Sequence, residues 1–143
     1  MHEDFAENIC ASGRSMRGLP MARIVICDDD VQICRLLQLA LRDKPYDVET
    51  VYTATDCRAA CERDWPALLV TDISLPDFDG CELIRQLRAV CPKLPILAIS
   101  GGTDDVLQAA WDSGADWVLR KPIVPALMVE TADYLLSMHN PAP

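Results

Sequence analysis

The sequence predicts an α/β domain built on a parallel sheet with helices on both faces. Three observations carry this. Strand-like and helix-like segments alternate five times along the chain, the pattern of repeated strand–helix–strand units with right-handed crossovers. Residues 24–27, 68–70 and 96–99 are short, continuous apolar runs, as in strands buried on both faces. Polar residues and turn formers then break each run.

Taken in order, residues 23–27 read as the first strand, and Asp30 is suited to cap the helix that follows. That helix runs from 31 to about 42, with Val31, Cys34, Leu37, Gln38 and Leu41 at three- and four-residue steps. Residues 46–51 alternate polar and apolar, as a half-exposed edge strand does. A second helix spans 53–63 and stops at Trp65-Pro66. The third strand ends at Asp72, and Pro76 and Gly80 shape the loop behind it. From Gly80 a third helix turns Leu83, Ile84, Leu87 and Val90 inward, and Pro92 and Pro95 mark its exit. The fourth strand, 96–99, ends at Ser100; Gly101-Gly102 makes a turn, Thr103 caps a helix to Ser113, and Gly114 closes it. Residues 116–120 form the last strand, followed by Lys121-Pro122. The final helix starts at 123 or 125 and reaches 138, with Leu127, Thr131, Tyr134, Leu135 and Met138 on its inner face.

Composition narrows the function classes. A length of 143 residues suits one core. Residues 1–21 lack periodicity and read as a flexible N-terminal extension, 22–139 as the domain, and 140–143 as a C-terminal tail. A net charge of −9 argues against direct nucleic-acid binding. No apolar run reaches membrane-spanning length, and the first twenty residues lack a secretory core. A cytoplasmic protein without membrane contact is the expectation. Seven cysteines without a Cys-x-x-Cys pair, and only two histidines, disfavour zinc. The cysteines are expected to be reduced and mostly buried.

The polar residues that follow the strands carry the chemistry. Asp28-Asp29, Asp72, Ser100 and Lys121 would gather on one edge of the sheet, where ligands collect in open α/β folds. Three close carboxylates repel one another in a partly dry site. A hard divalent cation relieves this, and an all-oxygen set suits Mg2+. A lysine and a hydroxyl opposite such a site suggest a bound anion, with phosphoryl the natural candidate and a carboxylate as its nucleophile.

In these features the chain resembles the receiver domain of bacterial two-component response regulators. The resemblance rests on Asp28-Asp29, on Asp72 with Pro76 and Gly80 behind it, on Ser100, on Gly114-Ala115-Asp116 and on Lys121-Pro122. It implies a flavodoxin-like five-stranded parallel sheet in the order 2-1-3-4-5. It implies that Asp72 accepts a phosphoryl group, that Asp28, Asp29, Asp72 and the Ser74 carbonyl hold Mg2+, and that Ser100 and Lys121 contact phosphoryl oxygens. The donor would be a phosphohistidine on a sensor histidine kinase or a histidine phosphotransfer protein. The Lys121–Pro122 bond would be cis. Catalysis would be limited to the protein's own phosphorylation and dephosphorylation. With no room for an effector domain after Met138, the expectation is a single-domain receiver with an unspecified protein partner downstream; the alternative is a fragment of a longer regulator.

One departure stands out. The family usually has an aromatic residue three positions before the lysine, where this chain has Val118; Trp117 lies one earlier, on the other face of the strand. Other residues take plainer readings. Trp111 is expected in helix–sheet packing, Arg120 as a solvated charge, and Asp77 and Asp79 as added negative potential. The rival class is a haloacid-dehalogenase-like phosphatase, since Asp28-Asp29-Asp30 also fits its Asp-x-Asp start, with Asp28 as nucleophile and Asp30 as acid/base. Gln32 stands where that family prefers Thr or Val, and the Asp72-to-Gly80 spacing stays unexplained by it.

Overall fold

The computed structural model describes residues 21–139. The extension expected at 1–21, apart from Met21, and the tail at 140–143 lie outside the described residues. Five strand–helix pairs follow in order: β1 (Ala22–Cys27), α1 (Val31–Ala40), β2 (Tyr46–Val51), α2 (Ala54–Arg63), β3 (Leu68–Asp72), α3 (Gly80–Val90), β4 (Ile96–Ser100), α4 (Asp104–Ser113), β5 (Trp117–Arg120) and α5 (Pro125–His139). The strands form one parallel sheet in the order β2-β1-β3-β4-β5, the order the resemblance implies.

Alternation along the strands divides the core in two. Val25, Cys27, Leu69, Ile96 and Ala98 face α2, α3 and α4, whose Cys57, Cys61, Leu83, Ile84, Leu87 and Ala110 pack onto them. Ile24, Ile26, Leu68, Val70, Leu97 and Ile99 face α1 and α5. The loops after the neighbouring strands β1 and β3 therefore depart to opposite faces, which opens a crevice between them at the C-terminal edge.

Several inner faces differ from expectation. On α1 only Cys34 and Leu37, with Leu41 just beyond, are buried; Val31 and Gln38 are exposed. Val31 lies in the first turn, past the strand ends, and Val90, at the last turn of α3, is exposed at the opposite edge. On α5 the buried residues are Met128, Thr131, Ala132, Leu135 and Leu136, whereas Leu127, Tyr134 and Met138 face outward. This helix is apolar almost all round, so periodicity alone cannot choose between two adjacent stripes; packing on α1 and the sheet does.

Trp111 is also outside the core. Ala110 takes the helix–sheet position, and Trp111 is 40% exposed. It meets Trp117 edge-on at 5.7 Å between ring centroids, and Trp117 meets Tyr134 at 6.5 Å. Arg120 is ion-paired with Asp104 and donates to the Gly102 carbonyl at 3.1 Å, so it is not a free solvated charge.

Arg23, which the pattern marks only as the start of a strand, is buried. Its guanidinium donates to Glu49 on β2 at 2.9 Å and to the carbonyls of Ala60 and Asp64, both at 3.0 Å, closing the end of α2. Burial alone would raise the Glu49 carboxyl, but Arg63 and Arg23 outweigh it and hold it below its ordinary range. Cys27, Cys34, Cys57, Cys61, Cys81 and Cys91 are free and buried, as expected; Cys10 lies outside the described residues. Burial pushes the Cys34 thiol up to about 12, which makes it a poor nucleophile.

Candidate functional site

The crevice is lined by the C-terminal ends of β1, β3 and β5. Asp28 directly follows β1 and is fully buried. Its Oδ1 accepts the Asp30 amide at 2.9 Å, which folds the chain back toward α1. Asp29 points outward and is exposed. Asp72, the last residue of β3, is 3% exposed, and its Oδ1 accepts the Ser74 amide at 3.1 Å. Lys121 follows β5; its Nζ donates to Asp72 Oδ2 at 3.0 Å and lies 3.0 Å from Asp28 Oδ2. Its stem runs past Gly101, where an added Cβ would sit 3.7 Å from Lys121 Cβ. The Lys121–Pro122 bond is cis, as the resemblance implies.

The electrostatics follow from this packing. Burial raises the Asp28 carboxyl above its ordinary range, and the charge on Asp72 adds to that; the Asp30 amide and Lys121 offset part of the effect. Burial works against the Lys121 ammonium, but Asp72 and Asp28 outweigh it and raise its pKa. The lysine is thus charged at neutral pH. One ammonium serves two carboxylates, and Asp28 Oδ2, a buried acceptor, has its ion pair with Lys121 and no hydrogen bond besides.

Asp28, Asp29 and Asp72 can each offer one oxygen within 4.8 Å of the others. A buried carboxylate oxygen held only by the Lys121 ion pair, in an all-oxygen cluster, fits a hard divalent cation such as Mg2+. The cluster unites three of the four metal-ligand residues expected from the sequence. The fourth, Ser74, is adjacent: its amide is bonded to Asp72, and it pairs with Asp79 across the β3–α3 loop. Ser100 ends β4 one residue past Ile99, the partner of Asp72 in the sheet. It is buried, and its Oγ accepts the Gly102 amide at 2.9 Å.

Three aspartates near the site have structural partners. Asp30 caps α1 through the amides of Gln32 at 2.9 Å and Ile33 at 3.4 Å, as its position predicts. Asp79 caps α3 through the Cys81 amide at 2.9 Å. Asp77 reaches across to α2, taking the Ala54 amide at 2.8 Å, the Thr55 amide at 3.0 Å and the Thr55 hydroxyl at 2.7 Å. Asp77 and Asp79 therefore do more than add potential. Local sequence could have revealed Asp79, which stands just before a helix; nothing local pairs Asp77 with residues more than twenty positions upstream. Val118 is half-buried against the core shared with Ala98 and Ala110, and Trp117 lies on the opposite face of the strand, as alternation requires, where it is exposed beside Tyr134.

A doubly wound sheet in this order, with an acidic crevice and a lysine at its switch point, is a receiver-type fold. The family model for the response regulator receiver domain matches residues 24–133, and the chain belongs to that family. It is 36% identical over 102 residues to the response regulator MprA of Mycobacterium avium, covering 70% of this chain and 44% of that protein. It is 34% identical over 118 residues to a 14.6 kDa protein from the sodA1 3' region of Leptolyngbya boryana, covering 80% of this chain and 89% of that one. The chain thus spans less than half of MprA and most of the shorter relative.

Solved structures agree. A CheY-like receiver domain protein from Methanospirillum hungatei superposes with a TM-score of 0.79 at 28% identity, covering 83% of this chain and 96% of that one. A two-component response regulator from Clostridium difficile gives a TM-score of 0.79 at 25% identity, over 84% of this chain and 99% of that one. The protein is a receiver domain of two-component signalling, and the phosphatase reading gains no support. Among the described residues, no helix is long and apolar enough to cross a membrane.

Proposed function

We propose that this receiver accepts a phosphoryl group on Asp72 from a phosphohistidine, carried by a sensor histidine kinase or a histidine phosphotransfer protein in the cytoplasm. The observation that carries the reading is the Lys121 ammonium 3.0 Å from Asp72 Oδ2, beside the cluster of Asp28, Asp29 and Asp72. Asp72 attacks phosphorus; its O–P bond forms as the N–P bond breaks, and the imidazole nitrogen leaves with the electron pair. Negative charge on the equatorial oxygens meets Lys121, whose pairing with Asp72 keeps it aimed at the site. The Ser100 hydroxyl, whose oxygen accepts the Gly102 amide, donates its proton to a phosphoryl oxygen. Asp28, Asp29, Asp72 and the Ser74 carbonyl would hold Mg2+, which when bound supplies charge neutralisation to the carboxylates and the phosphoryl group. Hydrolysis of the aspartyl phosphate by water at the same site resets it, and output passes to a protein partner.

Labelling with acetyl phosphate followed by peptide mapping tests the assignment. The expected result is a single modified residue, Asp72. Modification of Asp28 instead would revive the phosphatase chemistry.

Metal binding has its own signature. Saturation to ten times Kd stabilises the fold by roughly 1.4 kcal/mol, which raises the melting temperature by several degrees for a domain of this size. In Asp29→Ala the rise should vanish, since an exposed ligand is removed with little effect on packing. An equal rise in that variant, followed by calorimetry or circular dichroism, would indicate salt screening rather than a site.

A further inference from the structure

Two loops deliver the acidic residues of the site, and both are tied to one short segment between β2 and α2. The Asp28 amide donates to the Val51 carbonyl at 3.2 Å, which fixes the loop after β1. Asp77 takes the amides of Ala54 and Thr55 and the Thr55 hydroxyl, which fixes the loop after β3. Between its ends that loop is further braced by the Ser74 amide on Asp72 and by the pairing of Ser74 with Asp79. Residues 51–55 therefore act as a common anchor, and Asp77 is the only loop side chain described as bonding to it. The three bonds to Asp77 also hold its carboxyl below the ordinary range, so it stays an acceptor at neutral pH.

The cap is doubled in a telling way. Thr53 already caps α2, accepting the Asp56 amide at 3.1 Å from within its own segment. Asp77 satisfies the two preceding amides from across the crevice. A helix needs such amides paired, but a residue of the neighbouring loop is not needed for that. What Asp77 adds is a fixed distance between the loop that carries Ser74 and the segment that holds Asp28.

We infer that Asp77 is a positioning residue for the divalent-cation site, clamping the Ser74-bearing loop to the N-terminus of α2 so that the oxygens of the two loops stay in register. The inference rests on the proposed reading of the acidic cluster as a cation site. Loss of the clamp lets the loop after β3 drift and weakens cation binding, as loss of groups supporting metal ligands generally does.

The test compares Asp77→Ala, Asp77→Asn and Thr53→Ala by calorimetric titration with Mg2+ and by thermal unfolding. Asp77→Ala and Thr53→Ala each remove a cap from the same helix terminus, so both should lower the melting temperature. Of these two, only Asp77→Ala should weaken Mg2+, by about tenfold. Asn retains one acceptor oxygen, and Asp77→Asn should weaken Mg2+ by less than Asp77→Ala does. The Asn variant carries the comparison should the Ala variant fail to fold. Wild-type Mg2+ affinity in the Asp77 variants, or equal weakening in Thr53→Ala, reduces Asp77 to a helix cap and overturns the inference while leaving the phosphoacceptor reading intact. No Mg2+ binding by the wild-type chain would overturn both.

Discussion

Asp72→Asn is expected to eliminate phosphoryl incorporation from acetyl phosphate or from a phosphorylated donor while leaving the fold in place. The amide oxygen can still accept the Ser74 amide that Asp72 Oδ1 holds at 3.1 Å. What disappears is the anionic oxygen that faces Lys121 at 3.0 Å and that the proposed function makes the nucleophile. An amide is far too weak a nucleophile to replace it. The Nδ2 group would also place a donor against the ammonium, turning Lys121 toward Asp28, already within 3.0 Å. Phosphate-affinity gels or intact-mass spectra read the outcome. Labelling of the variant at the wild-type rate would remove Asp72 from its role.

The second large effect concerns stability. Gly80 starts α3, and its amide donates to the Ile73 carbonyl at 3.0 Å. An added Cβ would lie 2.6 Å from Ile73 Cα and 2.8 Å from its carbonyl carbon, with the carbonyl oxygen closer still. These are backbone atoms next to Asp72, and no side-chain rotation relieves them. Gly80→Ala should therefore cost about 2–4 kcal/mol by urea unfolding. It should also impair phosphorylation, because any relief moves the loop after β3. Gly101→Ala provides the contrast: its Cβ would meet only the Lys121 stem, at ordinary contact distances of 3.7 and 3.8 Å. A Gly80→Ala protein as stable as Gly101→Ala would show that the helix start can shift freely.

Much of this molecule is legible in its sequence because the chemistry is tied to strand ends. A buried parallel strand announces itself as a short apolar run, and the polar residue that ends it must lie at the sheet edge. Asp28 and Ser100 are placed by that rule alone; Thr71 precedes Asp72 and Arg120 precedes Lys121, so those two are singled out with the help of the resemblance. The strand order is different: it came from the resemblance, since alternation fixes parallel pairing but not which strands are neighbours. Contacts between distant segments are harder still. Arg23 finds Glu49, Ala60 and Asp64, and Asp77 finds Ala54 and Thr55; neither shows in a local pattern. On α5, abundance hides the answer, because Leu127, Met128, Tyr134 and Leu135 are all apolar enough to be buried and only tertiary packing selects among them. Trp111 shows a related limit. A large ring reads as an interior residue, although the space beside β4 and β5 is filled by Ala110.

The outward turn of Trp111 gives the molecule a built-in optical gauge. Trp111 on α4, Trp117 on β5 and Tyr134 on α5 touch in series on the surface, whereas Trp65, the remaining tryptophan, is buried beyond the end of α2. The first pair spans α4 and β5, and Trp65 is shielded from solvent quenchers. Arg120 joins the same strand to Gly102 and Asp104 at the start of α4, within the loop that Ser100 begins. Solvent quenchers can reach these chromophores, so intrinsic emission before and after phosphorylation is a dye-free test of whether the crevice and this surface move together.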